Sequence, residues 1–358
     1  MKKIAIINDL HFGEKNDSPV MFIHQKKFLD QFFQYVIDND IKHIFIPGDV
    51  FHRRKYINFL TLSRTKEIFL DRLQELVIEY GVEVNISLGN HDIYYRELID
   101  PNSLELILQD YDFNLFTKPE TVRVNGHDIL LLPWICESNY KQCIDAINNT
   151  KAKICLAHLE LLGFEFSRGI VATHGLDHGL FSRFSWVGTG HYHTRSVRDN
   201  IHYLGSAFEF TWIDCEDAKG FTIFDLDTLE ETFIQNHFYI HRKIVYDDTD
   251  QKQMKKIIEE TDFSQYKNCF VRIVIKKKTN NSLFETLIEQ LIKGSPEKYT
   301  IDNEEMIAEN PNMNFDNIKT TTDIIKKYVD NSSYDNKVAI ERELLSLYTE
   351  AVLIENVE

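Results

Sequence analysis

The sequence predicts an α/β layered domain, and three observations support this class. Short apolar runs that are typical of buried strands alternate with long segments whose apolar residues recur at helical spacing. Clusters of Asp, Asn and His stand at the ends of several of these runs. The composition, 43% hydrophobic and 27% charged, is that of an ordinary folded core. Open α/β sheets bind ligands beyond the carboxyl ends of their strands, so these clusters predict a site at a sheet edge.

Five apolar runs predict the main strands, and two amphipathic segments predict long helices between the first three. The strand candidates are residues 3–8, 43–47, 82–88, 152–157 and 184–189. The helix candidates are residues 21–39 and 59–80. Shorter strands, which would add antiparallel pieces, are expected around residues 121–132, 201–204, 219–225 and 231–235. This alternation of strands and helices is what a layered α/β domain requires.

Each of the five strand candidates ends in a polar cluster. The clusters are Asp9-Leu10-His11, Gly48-Asp49, Gly89-Asn90-His91-Asp92, His158 and Gly190-His191-Tyr192-His193. Any one of them alone would usually be a solvated turn. Together they supply carboxylate, amide and imidazole groups, which suit divalent metals such as Mn²⁺. The set is too large for one ion, and two metals about 3.5–4 Å apart form a clamp for phosphoester hydrolysis.

These motifs, in this order, resemble those of calcineurin-like metallophosphoesterases. Within that superfamily the chain is similar to DNA-repair nuclease subunits of the SbcD type, which pair with an SMC-like ATPase, and phage members match more closely. The run Leu132-Pro133-Trp134-Ile135-Cys136-Glu137 carries this second resemblance. Phe51-His52 after Gly48-Asp49 also carries it, because protein phosphatases have a Val-Asp-Arg-Gly type run there.

The resemblance implies a set of metal ligands and a role for the residues beside them. One ion would be held by Asp9, His11, Asp49 and His193, and a second by Asp49, Asn90, His158 and His191. The expected ions are two Mn²⁺, with Mg²⁺ as the alternative. His91 would protonate the leaving 3′-oxygen, Asp92 would orient the His91 ring, and His52 would contact the phosphate.

Two further groups of residues near the motifs leave alternatives open. Arg53, Arg54 and Lys55 form a basic patch beside His52, which either contacts the DNA backbone or is a solvated loop. His174 and His178 have metal-like spacing. A substrate-facing or solvated loop is favoured for them over a third metal site.

The resemblance also implies an architecture and an activity. Residues 1–240 would form a four-layer αββα sandwich, residues 241–301 a small α+β capping domain that selects DNA, residues 302–320 a linker, and residues 321–358 a helix pair. The expected function is a two-metal DNA nuclease, with 3′→5′ exonuclease and single-strand endonuclease activity, in a recombination and repair complex. The alternatives are a small-molecule phosphoesterase and a subunit that mainly assembles the ATPase.

The pattern after residue 240 is consistent with these divisions. Strand and helix patterns alternate over residues 242–246, 251–260, 269–275, 283–293 and 299–301. Residues 302–320 are polar and contain Pro311, which is typical of a linker. Two amphipathic helices are predicted over residues 322–330 and 336–354.

Three partners follow from the resemblance. These are DNA, an SMC-like ATPase bound through residues 321–358, and a second copy bound through residues 57–80 or 94–110. Docking of the helix pair on its own chain is the alternative for the tail. A packing appendage without DNA contact is the alternative for the capping domain.

Net charge, cysteine content and hydropathy argue against several other classes of protein. The net charge of −16 argues against a solitary DNA-binding module, because such binding depends on Lys and Arg neutralising phosphates. The five cysteines include no Cys-x-x-Cys pair, which favours a reducing compartment. No apolar run reaches the roughly 18 residues of a membrane span. Asp9 and His11 interrupt the N-terminal run too early for a signal peptide. The expected location is the cytoplasm of a bacterial cell or a phage-infected host.

Overall fold

Strands and helices alternate through the computed structural model, which describes residues 2–167 and 170–303, with residues 329–330, 336–337, 340 and 344. The strands of the first part are β1 (Lys3–Ile6), β2 (His43–Pro47), β3 (Glu83–Ser87), β4 (Asn114–Phe116), β5 (Glu120–Val124), β6 (His127–Leu132), β7 (Ile154–His158), β8 (Glu165–Ser167), β9 (Ile170–Val171) and β10 (Trp186–Gly190). The later strands are β11 (Ser196–Arg198), β12 (Ile201–Tyr203), β13 (Gly220–Asp225), β14 (Glu231–Gln235), β15 (His241–Asp247), β16 (Phe270–Lys277) and β17 (Lys298–Asn303). The α-helices are α1 (Glu14–Asp17), α2 (Pro19–Asp38), α3 (Phe59–Thr65), α4 (Asp71–Tyr80), α5 (Ser103–Ile107), α6 (Tyr140–Asn149), α7 (Gln251–Glu260) and α8 (Asn281–Lys293).

Two six-stranded sheets carry the first 240 residues. The first has the order β14-β13-β1-β2-β3-β4, with β1 to β4 parallel and β13 and β14 joined antiparallel at one side. The second has the order β11-β12-β10-β7-β6-β5, with β6, β7, β10 and β12 parallel and antiparallel strands at both edges. The C-terminal ends of the parallel strands carry the predicted polar clusters in both sheets.

The two sheets pack face to face, with helices on their outer faces. Phe45 of the first sheet and Leu156 of the second belong to one buried cluster, in which Trp186 stacks on Phe224 at 3.9 Å between ring centroids. Helices α2 and α4 cover the outer face of the first sheet, and α6 covers that of the second through Cys143 and Ile147. The predicted α/β fold class is therefore confirmed, and the layers run helix, sheet, sheet, helix.

Several local predictions were wrong in detail. The helix expected over residues 59–80 contains a π-helical turn at Lys66–Leu70 between α3 and α4. Strand β12, expected to be an antiparallel piece, pairs antiparallel with β11 but also in parallel with β10. Helix α6 was not predicted, because it is only ten residues long and half of them are polar. His158 and Gly190 are the last residues of their strands and face each other in the register of β7 and β10.

A small module follows the sandwich, and we call residues 241–303 the C-terminal module. Its sheet has the order β15-β16-β17, β15 and β16 are parallel, and α7 and α8 cover its core, which includes Tyr246, Ile273 and Leu287. The carboxylate of Glu209 joins it to the sandwich, because Oε2 accepts from the backbone N–H groups of Ile240 (2.8 Å) and His241 (2.7 Å).

By their contacts, residues 1–302 form one unit and residues 303–358 a second. Of the second unit, the structure describes Asn303 and six further positions, of which residues 329–330, 337, 340 and 344 are helical. The predicted helix pair, residues 321–358, and the linker, residues 302–320, otherwise lie outside the described residues. Within the described part of the chain, every helix is too short or too polar to cross a membrane.

Candidate metal centre

The loops at the C-terminal ends of β1, β2 and β3 meet those of β7 and β10. The link between the sheets is direct, because Nδ1 of His158 donates to the carbonyl oxygen of Pro47 at 2.9 Å. Four of the predicted ligands have left-handed backbone conformations, with positive φ angles at Asp9 (51°), His11 (44°), Asp49 (55°) and His191 (93°). Such conformations are costly for residues with a side chain and cluster at functional sites.

The structure brings all seven predicted ligands together in two groups. Asp9, His11 and His193 form the first group, and their ligand atoms lie within 4.8 Å of one another. Asp49, His158 and His191 form the second group under the same limit. In the first group, the Nε2 atoms of His11 and His193 are only 3.0 Å apart. Ring nitrogens at this separation can converge on one ion.

Asp49 lies between the two groups. Its Oδ2 atom is 3.5 Å from Nε2 of His11 and 3.3 Å from Nε2 of His158. Its Oδ1 atom accepts from the backbone N–H of His91 at 2.8 Å, which fixes the plane of the carboxylate. One carboxylate oxygen of Asp49 therefore faces an imidazole of each group.

Asn90 completes the second group. Its side-chain oxygen Oδ1 is 3.1 Å from Nε2 of His158 and 2.9 Å from Nδ1 of His191. A neutral amide oxygen beside two imidazoles is a donor set that divalent metals accept.

Three glycines leave the space that the side chains of the centre occupy. A Cβ atom at Gly190 would lie 2.9 Å from both Oδ2 of Asp9 and Nδ1 of His158. A Cβ at Gly48 would lie 2.6 Å from Nδ1 of His158, and one at Gly89 would collide with the carboxylate of Asp49. Gly48 also has a φ of 88°, which favours glycine. The convergence of the donors and this tight packing fit a pair of divalent ions.

Burial shifts the pKa values of the imidazoles toward the neutral form that binds metals. Burial lowers the pKa of His191 to about 3, with His158 adding to the effect, and it lowers that of His193 to about 4. His158 differs, because the nearby Asp49 carboxylate outweighs burial and raises its pKa to about 9.

The two buried carboxylates shift in opposite directions. Burial raises the pKa of Asp9 to about 7, and the charge of Asp49 adds to this rise. Burial acts in the same direction on Asp49, but His158, His91 and His11 outweigh it and hold the pKa of Asp49 well below its usual range. Negative charge in the centre is therefore concentrated on Asp49.

His91 and His52 stand beside the two groups, and together with His11 they form a third group whose ligand atoms lie within 4.8 Å of one another. The His91 ring is 4.8 Å from that of His11, and the His52 ring is 5.5 Å from that of His91 and nearly parallel to it. Burial lowers the pKa of His91. The Nδ1 atom of His91 pairs with the carbonyl oxygen of His52.

Asp92 has a different task from the expected one. Its carboxylate accepts from the backbone N–H groups of Gly89 and Asp49, both at 2.8 Å, and from that of Val50 at 3.1 Å. Among the contacts of the described residues, the ring of His91 is oriented by the His52 carbonyl rather than by Asp92. Asp92 therefore ties together the loops that carry Asp49 and Asn90.

The two arginines after His52 point in different directions. Arg53 pairs with Asp17 at 3.5 Å and hydrogen-bonds to Asn16, so its guanidinium is directed to helix α1. The pKa of Arg54 is lowered, first by burial and then by Arg96, while the charge of Asp49 opposes the shift. Of the two arginines, Arg54 is the one whose pKa is affected by the charge of Asp49.

His174 and His178 lie outside the groups of potential metal ligands that the described residues form. His174 is exposed, and its Nε2 atom is 3.1 Å from Oε1 of Glu160. Glu160 in turn lies 4.0 Å from Nε2 of His191. This loop is consistent with the expectation of a solvated or substrate-facing segment.

A cavity of about 410 Å³ opens beside the two groups. Its polar side includes His11, Asp49, His52, His91, His191, His193, Glu14 and Asp214. Its other side is mainly apolar and includes Phe166, Phe210 and Ile213. Of these, Phe166 is 41% exposed and Ile213 is 58% exposed, so apolar surface faces solvent next to the metal centre.

Several residues of this region were missed by the sequence reasoning. Lys219 is almost fully buried, and its Nζ atom donates to the carbonyl oxygen of His193 at 2.8 Å. It also pairs with Asp214 (2.8 Å) and Asp217 (2.9 Å). Asn8 donates to Asp9 and to the carbonyl oxygen of Gly205. Of these residues, Asn8 could have been found from the sequence, since it directly precedes Asp9. Lys219 belongs to none of the polar clusters, so no sequence pattern indicates its role.

Comparisons with known proteins agree with this geometry. The family model described as calcineurin-like phosphoesterase matches residues 2–195. A protein of Enterobacteria phage T4 named exonuclease subunit 1 is 31% identical over 303 residues, which cover 84% of this chain and 85% of that protein.

Two solved structures share weaker similarity. One is a dimetal phosphatase from Danio rerio, with a TM-score of 0.39, 11% identity, and coverage of 65% of this chain and 98% of that one. The other is a glutamine-dependent NAD⁺ synthetase from Acinetobacter baumannii, with a TM-score of 0.28, 11% identity, and coverage of 96% of this chain and 70% of that one. The extent of the family match, together with the identity to the phage protein, shows that the chain belongs to the calcineurin-like phosphoesterase family.

Proposed function

We propose that this protein is a metal-dependent DNA nuclease with 3′→5′ exonuclease and single-strand endonuclease activity. The position of Asp49, with one carboxylate oxygen 3.5 Å from His11 and 3.3 Å from His158, carries the proposal. It lets one carboxylate serve two ions, which phosphodiester hydrolysis by the two-metal route requires. The name of the phage relative supports the choice of a nuclease within the family.

The seven predicted ligands divide between two ions. Asp9, His11 and His193 would hold the first, Asn90, His158 and His191 would hold the second, and Asp49 would contribute to both. The donors are oxygen and imidazole nitrogen, which favours Mn²⁺, with Mg²⁺ as the alternative. When bound, the pair of ions supplies positive charge that offsets the phosphodiester and acidifies the attacking water.

The side chains at the cavity mouth act on the substrate. When both of its ring nitrogens are protonated, His91 gives the proton on Nε2 to the leaving 3′-oxygen, while the carbonyl oxygen of His52 holds the ring in place through Nδ1. His52 lines the same cavity and contacts the phosphate. Arg54 supplies positive charge nearby. Arg53 is paired with Asp17 of helix α1, so we expect it to contribute less to substrate binding. Asp92 acts on loop geometry and not on the proton.

The remaining parts of the chain adapt the centre to a repair complex. We assign DNA selection to residues 241–301 and binding of an SMC-like ATPase to residues 321–358. Phe59, which is 92% exposed, and Leu60, which is 50% exposed, offer apolar surface on α3 for a second copy of the chain. Leu106 of helix α5, at 70% exposed, offers a similar surface within residues 94–110.

End-labelled DNA tests the proposal. Purified protein with Mn²⁺ should shorten a 3′-labelled strand stepwise and should cut a single-stranded circle, which has no ends. Asp49→Ala should abolish both activities, while Asp227→Ala, at a half-exposed position far along the chain, should leave them unchanged. Rapid hydrolysis of small phosphomonoesters with DNA left intact would contradict the nuclease assignment and favour a small-molecule phosphoesterase.

A further inference from the structure

We propose that Glu14 is a positioning residue for phosphoester hydrolysis and that it acts by orienting the imidazole of His52. The inference rests on the part of the proposed function that puts His52 at the substrate phosphate, but not on the substrate being DNA. The observation that carries it is a close pair: Nδ1 of His52 lies 2.7 Å from Oε2 of Glu14. Both side chains line the cavity beside the metal centre.

The backbone brings the two residues side by side. The chain segments that follow β1 and β2 continue in parallel, with a bridge between Phe12 and Phe51, and the N–H of His52 donates to the carbonyl oxygen of Phe12 at 3.0 Å. Gly13, with a φ of 94°, then turns the chain, and the N–H of Glu14 donates to the carbonyl oxygen of His11 at 3.2 Å. The Glu14 side chain is thereby presented to the His52 ring.

Other contacts hold the turn that carries Glu14, so the carboxylate is not needed to keep it folded. Asp17, at the end of helix α1, accepts from Nδ2 of Asn58 at 2.7 Å and from the hydroxyl of Thr61. The carbonyl oxygen of Asp17 accepts from Nη1 of Arg64 at 2.6 Å. Removal of the Glu14 carboxylate should therefore change the surroundings of His52 more than the fold.

A carboxylate at this place needs an explanation, because the cavity is proposed to receive an anionic phosphodiester. An unpaired negative charge would repel that substrate. The 2.7 Å approach of Oε2 to Nδ1 of His52 gives the carboxylate a nearby partner and leaves the opposite edge of the ring, with Nε2, facing away from Glu14. Carboxylates orient functional histidines in this way in many sites.

His52 depends on such a partner. Its side chain is 37% exposed and touches the rings of His11 (5.7 Å between centroids) and His91 (5.5 Å), whereas the side chain of Glu14 is only 17% exposed. The backbone of His52 is already fixed, since its carbonyl oxygen pairs with Nδ1 of His91. The freedom that remains at His52 is side-chain rotation, and the Glu14 carboxylate lies where it can restrict that rotation in addition to the neighbouring rings.

The test is a double-mutant comparison of Glu14→Ala, His52→Ala and the combined variant, with bis(p-nitrophenyl) phosphate and DNA as substrates and Mn²⁺ present. Glu14→Ala should lower kcat about 10- to 100-fold, the range seen when a group that orients a functional histidine is removed. The combined variant should be no slower than His52→Ala. Glu14→Gln keeps an acceptor oxygen and should restore most of the activity.

The matched control is Glu83→Ala. Glu83 forms the same kind of pair with His43, Oε2 to Nδ1 at 3.2 Å, at the start of strands β2 and β3. This variant should keep wild-type activity. A combined Glu14→Ala/His52→Ala variant that loses the full product of the two single effects would overturn the proposal, since Glu14 would then act independently of His52. An unchanged kcat in Glu14→Ala would overturn it as well.

A second readout does not depend on activity. Long-range ¹H–¹⁵N spectra of the metal-free protein report which imidazole nitrogen of His52 carries hydrogen, with the signals assigned through His52→Ala. The wild type and Glu14→Gln should show hydrogen on Nδ1, whereas Glu14→Ala should show a shifted, averaged pattern. Identical His52 signals in all three proteins would contradict the inference even if DNA proved not to be the substrate. Turnover of bis(p-nitrophenyl) phosphate without DNA cleavage would reject only the nuclease assignment.

Discussion

Asp49 and His158 come from different sheets, and their side chains meet at 3.3 Å between Oδ2 and Nε2 with almost no exposure to solvent. Asp49 follows β2 of the first sheet, and His158 ends β7 of the second. The centre of the proposed metal site is therefore also the junction between the two sheets. Changes at this pair should affect metal binding more strongly than changes at any single outer ligand.

The first prediction concerns the number of ions bound. Asp49→Ala removes the carboxylate that faces both groups, so binding should fall from two Mn²⁺ to one or none per chain. His193→Ala removes a ligand of the first group alone and should leave one ion. Calorimetric titration with Mn²⁺ measures both. Two tightly bound ions in Asp49→Ala would contradict the bridging position.

The second prediction concerns protons released on metal binding. The pKa of His158 is raised to about 9, so the ring carries a proton at pH 7 in the metal-free protein. An imidazole must be neutral to bind a metal, so binding at pH 7 should release about one proton from this residue. Affinity should therefore rise with pH and level off above the raised pKa.

Calorimetry at pH 7 in buffers with different ionisation enthalpies counts these protons. The sign for stability follows from the same shift. Since the folded pKa of His158 exceeds its ordinary value of 6.5, the pair with Asp49 stabilises the metal-free protein fully below that value. This contribution is lost as the pH rises through about 9. A proton count of zero at pH 7 would contradict the raised pKa.

The third prediction separates chemistry from metal binding. His91→Ala should lower kcat about 10²- to 10⁴-fold, the usual contribution of a general acid. The number of bound ions should stay at two, because neither group of ligands requires His91. Steady-state kinetics measure the fall in kcat, and the same Mn²⁺ titration measures the number of bound ions. Loss of an ion in His91→Ala would instead make it a ligand.

The fourth prediction concerns Lys219, whose Nζ atom donates a hydrogen bond to the backbone carbonyl oxygen of His193. Lys219→Ala leaves Asp214 and Asp217 without their shared cation, and breaking a buried pair in this way costs about 3–5 kcal/mol. Urea unfolding of the metal-free protein measures the loss. Lys2→Ala is the matched control, since its pair with Asp227 at 2.9 Å is half-exposed, and solvent screening should make its loss much less costly than that of the buried pair. Equal effects of the two changes would contradict the role of burial.

The main elements of the fold were predictable because strand and helix periodicities were clear. Residues 43–47 were predicted as a strand and form β2 with the same bounds. Helix α6 was not found in this way, since it is only ten residues long, half of them polar, and a helix this short depends on tertiary packing. The π-helical turn at Lys66–Leu70 likewise leaves no mark in the spacing of apolar residues.

The sequence predicted the proposed ligands that the structure brings together, but not the residues that surround them. Asp9, Asn90 and His158 stand at strand ends, where sequence position alone indicates a shared edge. Glu14 and Lys219 do not stand at strand ends. They reach the site through side-chain length and backbone turns, which a sequence pattern does not encode. The task of Asp92 was unpredictable for the same reason, since its partners are backbone N–H groups from another loop.

The division of the centre between two sheets has a consequence for the chain as it is synthesised. The loops of the first sheet supply Asp9, His11, Asp49 and Asn90, whereas His158, His191 and His193 come only with the second. A ribosome-bound or prematurely terminated product that ends before β7 lacks every imidazole of the second half. Such a fragment would lack three of the seven proposed ligands, so we expect phosphoesterase activity to appear only after both sheets of the sandwich have formed.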